Sequence, residues 1–124
     1  MTAVVDTSVL IDYLRGHAGA RQVLERERAA APLHASEITR LEVLAGMRPG
    51  EEAGTNSLLS VLIWHPLDQQ IAEDAGELGR RWLPSHRIDG ADLAIAATAL
   101  GLGARLLTRN VRHFPMISDL RPPY

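Results

Sequence analysis

The sequence predicts an α/β fold that is built on a short, mainly parallel sheet. Short apolar segments alternate with amphipathic helical patterns along most of the chain, and this alternation is typical of strand–helix–strand units. The chain has 124 residues and domains usually contain about 150, so we expect a single domain over residues 1–124. With 46% apolar and 23% charged residues, the composition is that of an ordinary globular protein.

The first half of the chain predicts two strands and four helices. Val4 and Val5 are expected to form a buried strand, and Thr7 or Ser8 would cap the helix that follows it. The remaining elements are a helix at 18–30, a strand at 32–35, a helix at 38–47 and a helix at 52–62.

The second half predicts two further strands and two helices. An edge strand is expected at 63–67, because Pro66 has no N–H group to donate inside a sheet. It is followed by a helix capped by Asp68, a very apolar helix capped by Asp89, and a strand at 105–108. The tail, 121–124, contains two prolines, and we expect it to lie on the surface.

Missing residue types exclude several classes of protein. The chain has no cysteine, which rules out disulfide scaffolds and thiolate zinc sites, and all 13 of its Lys and Arg positions are arginine. Without lysine, the chain lacks an essential residue of P-loop ATPases and of phosphorelay receiver domains, whose last strand carries a lysine. No apolar run approaches the ~18 residues of a membrane span, and the N-terminus does not resemble a secretion signal. We therefore expect a cytoplasmic protein that does not contact membranes.

Charge is unevenly distributed along the chain. The formal net charge of −2 gives no basic surplus of the kind that nucleic-acid-binding domains usually show. The segment 93–118, however, contains three arginines and no acidic residue. This part of the chain could therefore face phosphate groups.

Glu42 is an acidic residue in an apolar position. On the predicted helix at 38–47 it falls within the apolar stripe, where an unpaired carboxylate would cost several kcal/mol of folding free energy. A cation must therefore lie nearby. An arginine such as Arg40 or Arg48 would meet this need, and so would a metal ion, and the sequence leaves both explanations open.

Three further polar residues lie where a parallel sheet would bring them together. Asp6 and Asn110 each follow a predicted strand at its carboxyl end, although either could serve only as a cap or turn residue. Asp92 could form a plain capping pair with Asp89, but it precedes a segment too apolar to face water. If these side chains share a pocket with Glu42, their mutual repulsion requires divalent cations. An all-oxygen site of this kind selects Mg²⁺ or Mn²⁺.

Four short segments carry these residues. They are Val-Asp-Thr-Ser-Val-Leu-Ile-Asp at 5–12, Ser-Glu-Ile-Thr-Arg-Leu-Glu-Val at 36–43, Ala-Asp-Leu-Ala-Ile-Ala-Ala-Thr-Ala at 91–99, and Leu-Thr-Arg-Asn-Val-Arg-His-Phe at 107–114. In their order and spacing they resemble the PIN-domain family, and in particular the VapC-type toxins of bacterial toxin–antitoxin systems. Each segment is short, but together they span nearly the whole chain.

The resemblance implies a three-layer α/β/α sandwich with endoribonuclease activity that depends on Mg²⁺, with Mn²⁺ as a substitute. RNA phosphodiesters would be cleaved by metal-activated water. Asp6, Glu42 and Asp92 match the acidic metal ligands and catalytic residues, and Asn110 stands at the fourth catalytic position. Many PIN domains have aspartate at that position, so Asn110 removes one negative charge from the site.

The resemblance also assigns supporting residues. Thr7, Ser8 and Thr108 match the hydroxyl groups that orient the carboxylates. We further expect Arg109 and Arg112, which flank Asn110, to contact the RNA.

The expected partners follow from the same resemblance. It implies a VapB-type antitoxin that covers an apolar groove near the first helices, and a homodimer. The apolar run at 58–63 could supply part of the dimer surface, or it could belong to an internal core. The alternative function is a non-catalytic PIN fold that only binds RNA or a protein, although the presence of all three acids argues against it.

Overall fold

The computed structural model describes residues 2–124, which form four strands, six α-helices and one short 3₁₀ turn. The strands are β1 (Ala3–Val5), β2 (Leu33–Ser36), β3 (Ile63–His65) and β4 (Arg105–Leu107). The helices are α1 (Thr7–Leu14), α2 (Ala18–Ala30), α3 (Glu37–Ala45), α4 (Glu52–Ser60), α5 (Gln69–Trp82) and α6 (Gly90–Gly101). The 3₁₀ turn, Val111–His113, follows β4.

All four strands are parallel, in the order β3-β2-β1-β4. Val4 of β1 is paired with Leu106 of β4 on one side and with His34 of β2 on the other. Since parallel strands end at the same edge of a sheet, the segments that follow β1, β2 and β4 start close together. This arrangement brings residues that are far apart in sequence to one edge.

The sheet lies between two layers of helices, as the predicted three-layer sandwich requires. On one face, α1, α2 and α4 bury their apolar side chains against Ala3 and Val5. On the other face, α5 and α6 pack over Val4 and Leu106, because successive side chains of a strand point to opposite faces. Helix α3 contacts both α1 and α6 at the carboxyl edge of the sheet. No helix within residues 2–124 has the length and apolarity needed to cross a bilayer.

The start of α1 differs from the prediction. Asp6, and not Thr7 or Ser8, occupies the N-cap position, and its side chain makes no capping hydrogen bond. The Ser8 hydroxyl instead donates to Asp6. The carboxylate of Asp6 is thus held by a side chain and remains free of any role in capping the helix.

The tail and the apolar run also differ from the expected placement. Tyr124 is half-buried against the core beside α1 and α2, so the end of the chain does not simply lie on the surface. Leu58, Leu59 and Leu62 are buried in that same core. Of the run at 58–63, Ile63 is exposed, and the run therefore supports the internal-core alternative more than a dimer surface.

Candidate active site

Asp6 lies at the carboxyl end of β1, where the pairing with β4 ends. Its backbone N–H donates to the carbonyl of Leu107 at 2.9 Å, which fixes its position at the sheet edge. Its Oδ2 accepts hydrogen bonds from the hydroxyls of Ser8 at 2.8 Å and Thr108 at 2.7 Å. The residue is almost completely buried, so these two hydroxyls replace the water that a carboxylate would otherwise bind.

Asn110 is connected to the same group of atoms through its backbone. The Thr108 hydroxyl that donates to Asp6 also accepts from the Asn110 N–H at 3.0 Å. Asn110 itself is exposed and directly precedes the 3₁₀ turn. The structure therefore places it at the edge where Asp6 lies.

Glu42 projects from α3 toward α1, and no arginine within residues 2–124 forms an ion pair with it. Its Oε1 accepts a hydrogen bond of 2.6 Å from the hydroxyl of Thr7. Arg40 is instead bound to Glu37, and Arg48 contacts Glu51 through its backbone N–H. The arginine explanation for this half-buried carboxylate is thus wrong.

Asp92 lies in the first turn of α6, and its own side chain does not cap that helix. The cap is Asp89, whose Oδ1 accepts from the backbone N–H of Asp92 at 2.9 Å. The Asp92 carboxylate instead faces His113 of the 3₁₀ turn, with Oδ2 and Nδ1 3.0 Å apart.

The acidic side chains affect one another electrostatically. Burial raises the pKa of Asp92 to about 7, and repulsion from Asp89, Asp6 and Glu42 contributes in the same direction, while His113 lowers it. Asp6 and Glu42 therefore both lie within electrostatic range of Asp92. Within residues 2–124, no three histidine or acidic side chains are arranged as a ready set of metal ligands, and each of these carboxylates has its own protein partner.

Comparison with known proteins identifies the family of this chain. The sequence model of the PIN domain family matches residues 3–118. The chain belongs to the PIN-domain family. It is 45% identical over 123 residues to Ribonuclease VapC19 of Mycobacterium tuberculosis, with 98% of each chain covered. Ribonuclease VapC10 of the same organism is 41% identical over 122 residues, which cover 98% of this chain and 92% of the relative.

A solved structure extends the likeness to three dimensions. A chain of the toxin–antitoxin complex from Klebsiella pneumoniae superposes with a TM-score of 0.83 and 32% sequence identity. The match covers 99% of this PIN domain and 98% of that chain. The parallel sheet and its flanking helices are therefore shared with a protein of known structure.

The two arginines expected to contact RNA have different surroundings in this PIN domain. Both are exposed, but Nη1 of Arg109 also donates to Oδ2 of Asp12 on α1 at 2.7 Å. An open cleft of about 520 Å³ lies beside Asp92. It is lined by Leu83, His86, Arg87, Ile88, Asp89, Asp92 and His113.

Sequence reasoning missed two features of the PIN domain's site. His113 was not selected as a partner of Asp92, although its place three residues after Asn110 is a signal that could have been used. The contact of Asp12 with both Arg109 and Tyr124 was also missed. It joins residues that lie about a hundred positions apart, and no periodic pattern in the sequence reports such a contact.

Proposed function

We propose that this chain is a divalent-metal-dependent endoribonuclease and the toxin of a toxin–antitoxin pair, and that residues 1–124 act as a single PIN domain in the cytoplasm. The observation that carries the proposal is the grouping of Asp6, Glu42 and Asp92 at one sheet edge, with hydroxyl partners or a histidine in place of arginines. Identity of 45% to a protein named as a ribonuclease supports the same function.

The oxygen donors suit a hard divalent cation. Asp6, Glu42 and Asp92 would hold Mg²⁺, or Mn²⁺ in its place, and Asn110 at the fourth position would add an uncharged donor. When bound, the cation supplies the positive charge that activates water and stabilises the charge developing on the phosphate. Three carboxylates and one divalent ion leave a net charge of −1, and a second divalent ion would bring it to +1, a charge that a substrate phosphate would offset.

Three hydroxyl groups would keep the carboxylates in position for this task. Ser8 and Thr108 donate to the same oxygen of Asp6, so its other oxygen is the one available to a ligand. Thr7 donates to Oε1 of Glu42 and leaves Oε2 available in the same way. Residues of this kind set the direction of a ligand atom without contacting the ligand.

RNA would approach along the cleft beside Asp92. Arg87 lines that cleft, and Arg109 and Arg112 lie on the segment that follows β4. Contacts of these guanidinium groups with phosphates would position the strand against the carboxylates. His113 also lines this cleft, and its contact with Asp92, with Nδ1 and Oδ2 3.0 Å apart, would help to keep that carboxylate beside the cleft.

A second groove lies on the opposite layer and would receive a VapB-type antitoxin. It has a volume of about 450 Å³ and is formed by α1, α2, β2 and α4. Its lining residues are Tyr13, Leu24, Glu25, Arg28, Ala29, Leu33, Leu58, Val61 and Leu62. An apolar segment of the antitoxin would fill this groove, and co-expression of that antitoxin should relieve growth arrest caused by the toxin.

A homodimer is also part of the proposal. On α3, Leu41 and Leu44 are large apolar side chains with exposed fractions of 63% and 41%. Two such residues three positions apart on one helix form a patch that a second copy could cover. Light scattering at micromolar protein should give the mass of a dimer, and a strictly monomeric protein would contradict this part.

The function is tested by incubating the purified protein with RNA. We expect cleavage in Mg²⁺ and none when a chelator is added. The products should carry 5′-phosphate and 3′-hydroxyl ends, because water and not the 2′-hydroxyl of the RNA is the nucleophile. Products with 2′,3′-cyclic phosphate ends would refute this mechanism. Binding of RNA without any cleavage would favour the non-catalytic binding module.

A further inference from the structure

Asp12 on α1 binds two residues from the other end of the chain. Its Oδ2 accepts a hydrogen bond from the hydroxyl of Tyr124 at 2.6 Å and another from Nη1 of Arg109 at 2.7 Å. Although burial raises the pKa of Asp12, the hydrogen bonds from Tyr124 and Arg109 outweigh it and hold that pKa below its ordinary value. The carboxylate is therefore ionised at neutral pH and accepts from both donors.

Tyr124 is itself held in place by the start of α2. Its ring packs on the imidazole of His17 with centroids 4.9 Å apart. Gly19 leaves the room for this contact, since a Cβ at that position would lie 2.9 Å from the Cβ of Tyr124. Burial and the Asp12 carboxylate both raise the pKa of Tyr124, so its hydroxyl remains a proton donor.

Arg109 is attached to α1 at two points. Its backbone N–H donates to the Ser8 hydroxyl at 3.2 Å, and that hydroxyl donates to Asp6. Its guanidinium reaches Asp12, which is one helical turn beyond Ser8 on the same side of α1. With 50% of its side chain exposed, Arg109 has N–H groups left for a ligand beside the acidic edge.

We propose that Asp12 and Tyr124 are positioning residues that hold the Arg109 guanidinium beside the active site as a preformed contact for an RNA phosphate. This inference depends on the proposed function, because it needs an RNA substrate. A free arginine loses side-chain freedom when it binds a phosphate, whereas Arg109 has lost much of that freedom before RNA arrives. Asp12 accepts a hydrogen bond from one N–H of the Arg109 guanidinium. The other N–H groups of this planar group are thereby held in a fixed orientation.

If Asp12 positions Arg109, its effect on RNA binding is opposite to the effect expected from its negative charge. As a negative charge near bound RNA, Asp12 repels phosphates, so charge alone predicts that Asp12→Ala tightens binding and steepens its dependence on salt. If Asp12 positions Arg109, the same substitution weakens binding and makes the salt dependence shallower. The sign of the change therefore separates the two roles.

The experiment measures KM and kcat for RNA cleavage by the full chain at several salt concentrations. We expect Asp12→Ala to raise KM about fivefold with kcat changed by less than about twofold. Tyr124→Phe and Gly19→Ala keep the net charge, and each should raise KM about twofold, since one removes the hydroxyl and the other displaces the ring. In the background of Arg109→Ala, Asp12→Ala should have no further effect on KM.

Glu27→Ala provides a matched control. Glu27 pairs with Arg105 at the amino end of β4, away from the acidic edge, and its removal changes the net charge by the same amount. Its KM should stay equal to, or fall slightly below, that of the wild type. If Asp12→Ala does not fold, as judged by circular dichroism, the KM values of Tyr124→Phe and Gly19→Ala show whether Arg109 is positioned in this way.

Unchanged or lowered KM in Asp12→Ala, or unchanged KM in both Tyr124→Phe and Gly19→Ala, would overturn the positioning role. The role would also be overturned if Asp12→Ala raised KM as much in the Arg109→Ala background as it does in the wild type. If the wild type does not cleave RNA, the proposed function fails and this inference fails with it. If the wild type cleaves RNA while these variants match it, the inference alone is wrong.

Discussion

Hydroxyl groups hold two of the three carboxylates of the site. Thr7 donates to Glu42, and Ser8 and Thr108 donate to Asp6. A neutral donor orients a carboxylate but does not cancel its charge, as an arginine would. These donors therefore do not cancel the negative charge of the site, and the resulting repulsion should be measurable as a loss of stability.

The substitution Asp92→Asn should stabilise the metal-free protein. It removes one of three carboxylates that repel each other, and at pH 7 in a chelator the free energy of unfolding should rise by about 1–2 kcal/mol. Urea denaturation monitored by circular dichroism measures this change. Asp89→Asn should change the free energy of unfolding by less, about 1 kcal/mol or less, because asparagine can still cap α6 and the relief of repulsion with Asp92 offsets any loss of capping. Equal destabilisation by both variants would contradict the account of the repulsion.

Thr108→Val should weaken metal binding while the fold is retained. The Thr108 hydroxyl both donates to Asp6 and accepts from the Asn110 N–H, so its loss frees the carboxylate and the loop. Loss of a group that orients a ligand typically costs 10–100-fold in metal affinity, and we expect a change of about tenfold by calorimetric titration with Mn²⁺. Thr98→Val is the matched control, because Thr98 is equally buried but donates within α6. The control should bind Mn²⁺ like the wild type.

At the scale of elements, the strand and helix order was predictable because its signals are local. Caps such as Ser36, Asp68 and Asp89 identify helix starts, and each accepts the expected backbone hydrogen bond in the structure. The hydrogen-bond partners of individual side chains, in contrast, were not predictable from local signals. Glu42 meets Thr7 and not an arginine, and this choice depends on how α3 crosses α1. The grouping of the acids followed from the parallel sheet, whereas their individual partners did not.

The ion pair between α2 and β4 should make stability depend on pH. The hydrogen bond from Arg105 lowers the pKa of Glu27, and burial opposes it only partly. A lowered carboxyl pKa gives stability that is present above the unfolded pKa and is lost as pH falls through the folded pKa. Glu27→Gln should therefore lower the melting temperature by about 2 °C at pH 7, since the pair is partly exposed, and by less at pH 3. A difference that grows toward pH 3 would be inconsistent with this pairing.

On the scale of the whole molecule, the two layers of helices have separate tasks in our proposal. The acidic edge and the cleft beside Asp92 would face RNA, and the groove among α1, α2 and α4 would receive the antitoxin. Val61→Glu would place a charge among the apolar side chains that line part of that groove and should weaken inhibition by the antitoxin about tenfold or more. Inhibition is measured relative to the uninhibited cleavage rate of each variant. Equal inhibition of wild type and variant would locate the antitoxin elsewhere.

The assignment of the catalytic carboxylates is tested most directly by comparing two neighbouring aspartates in one cleavage assay. Asp89 and Asp92 both lie at the start of α6, but Asp89 caps the helix, whereas the Asp92 carboxylate contacts His113 and lies within electrostatic range of Asp6 and Glu42. With RNA and Mg²⁺, Asp92→Asn should abolish cleavage while the protein remains folded, as should Asp6→Asn and Glu42→Gln. Asp89→Asn should retain most of the activity. Loss of cleavage in Asp89→Asn together with an active Asp92→Asn would show that the site has been assigned to the wrong residues.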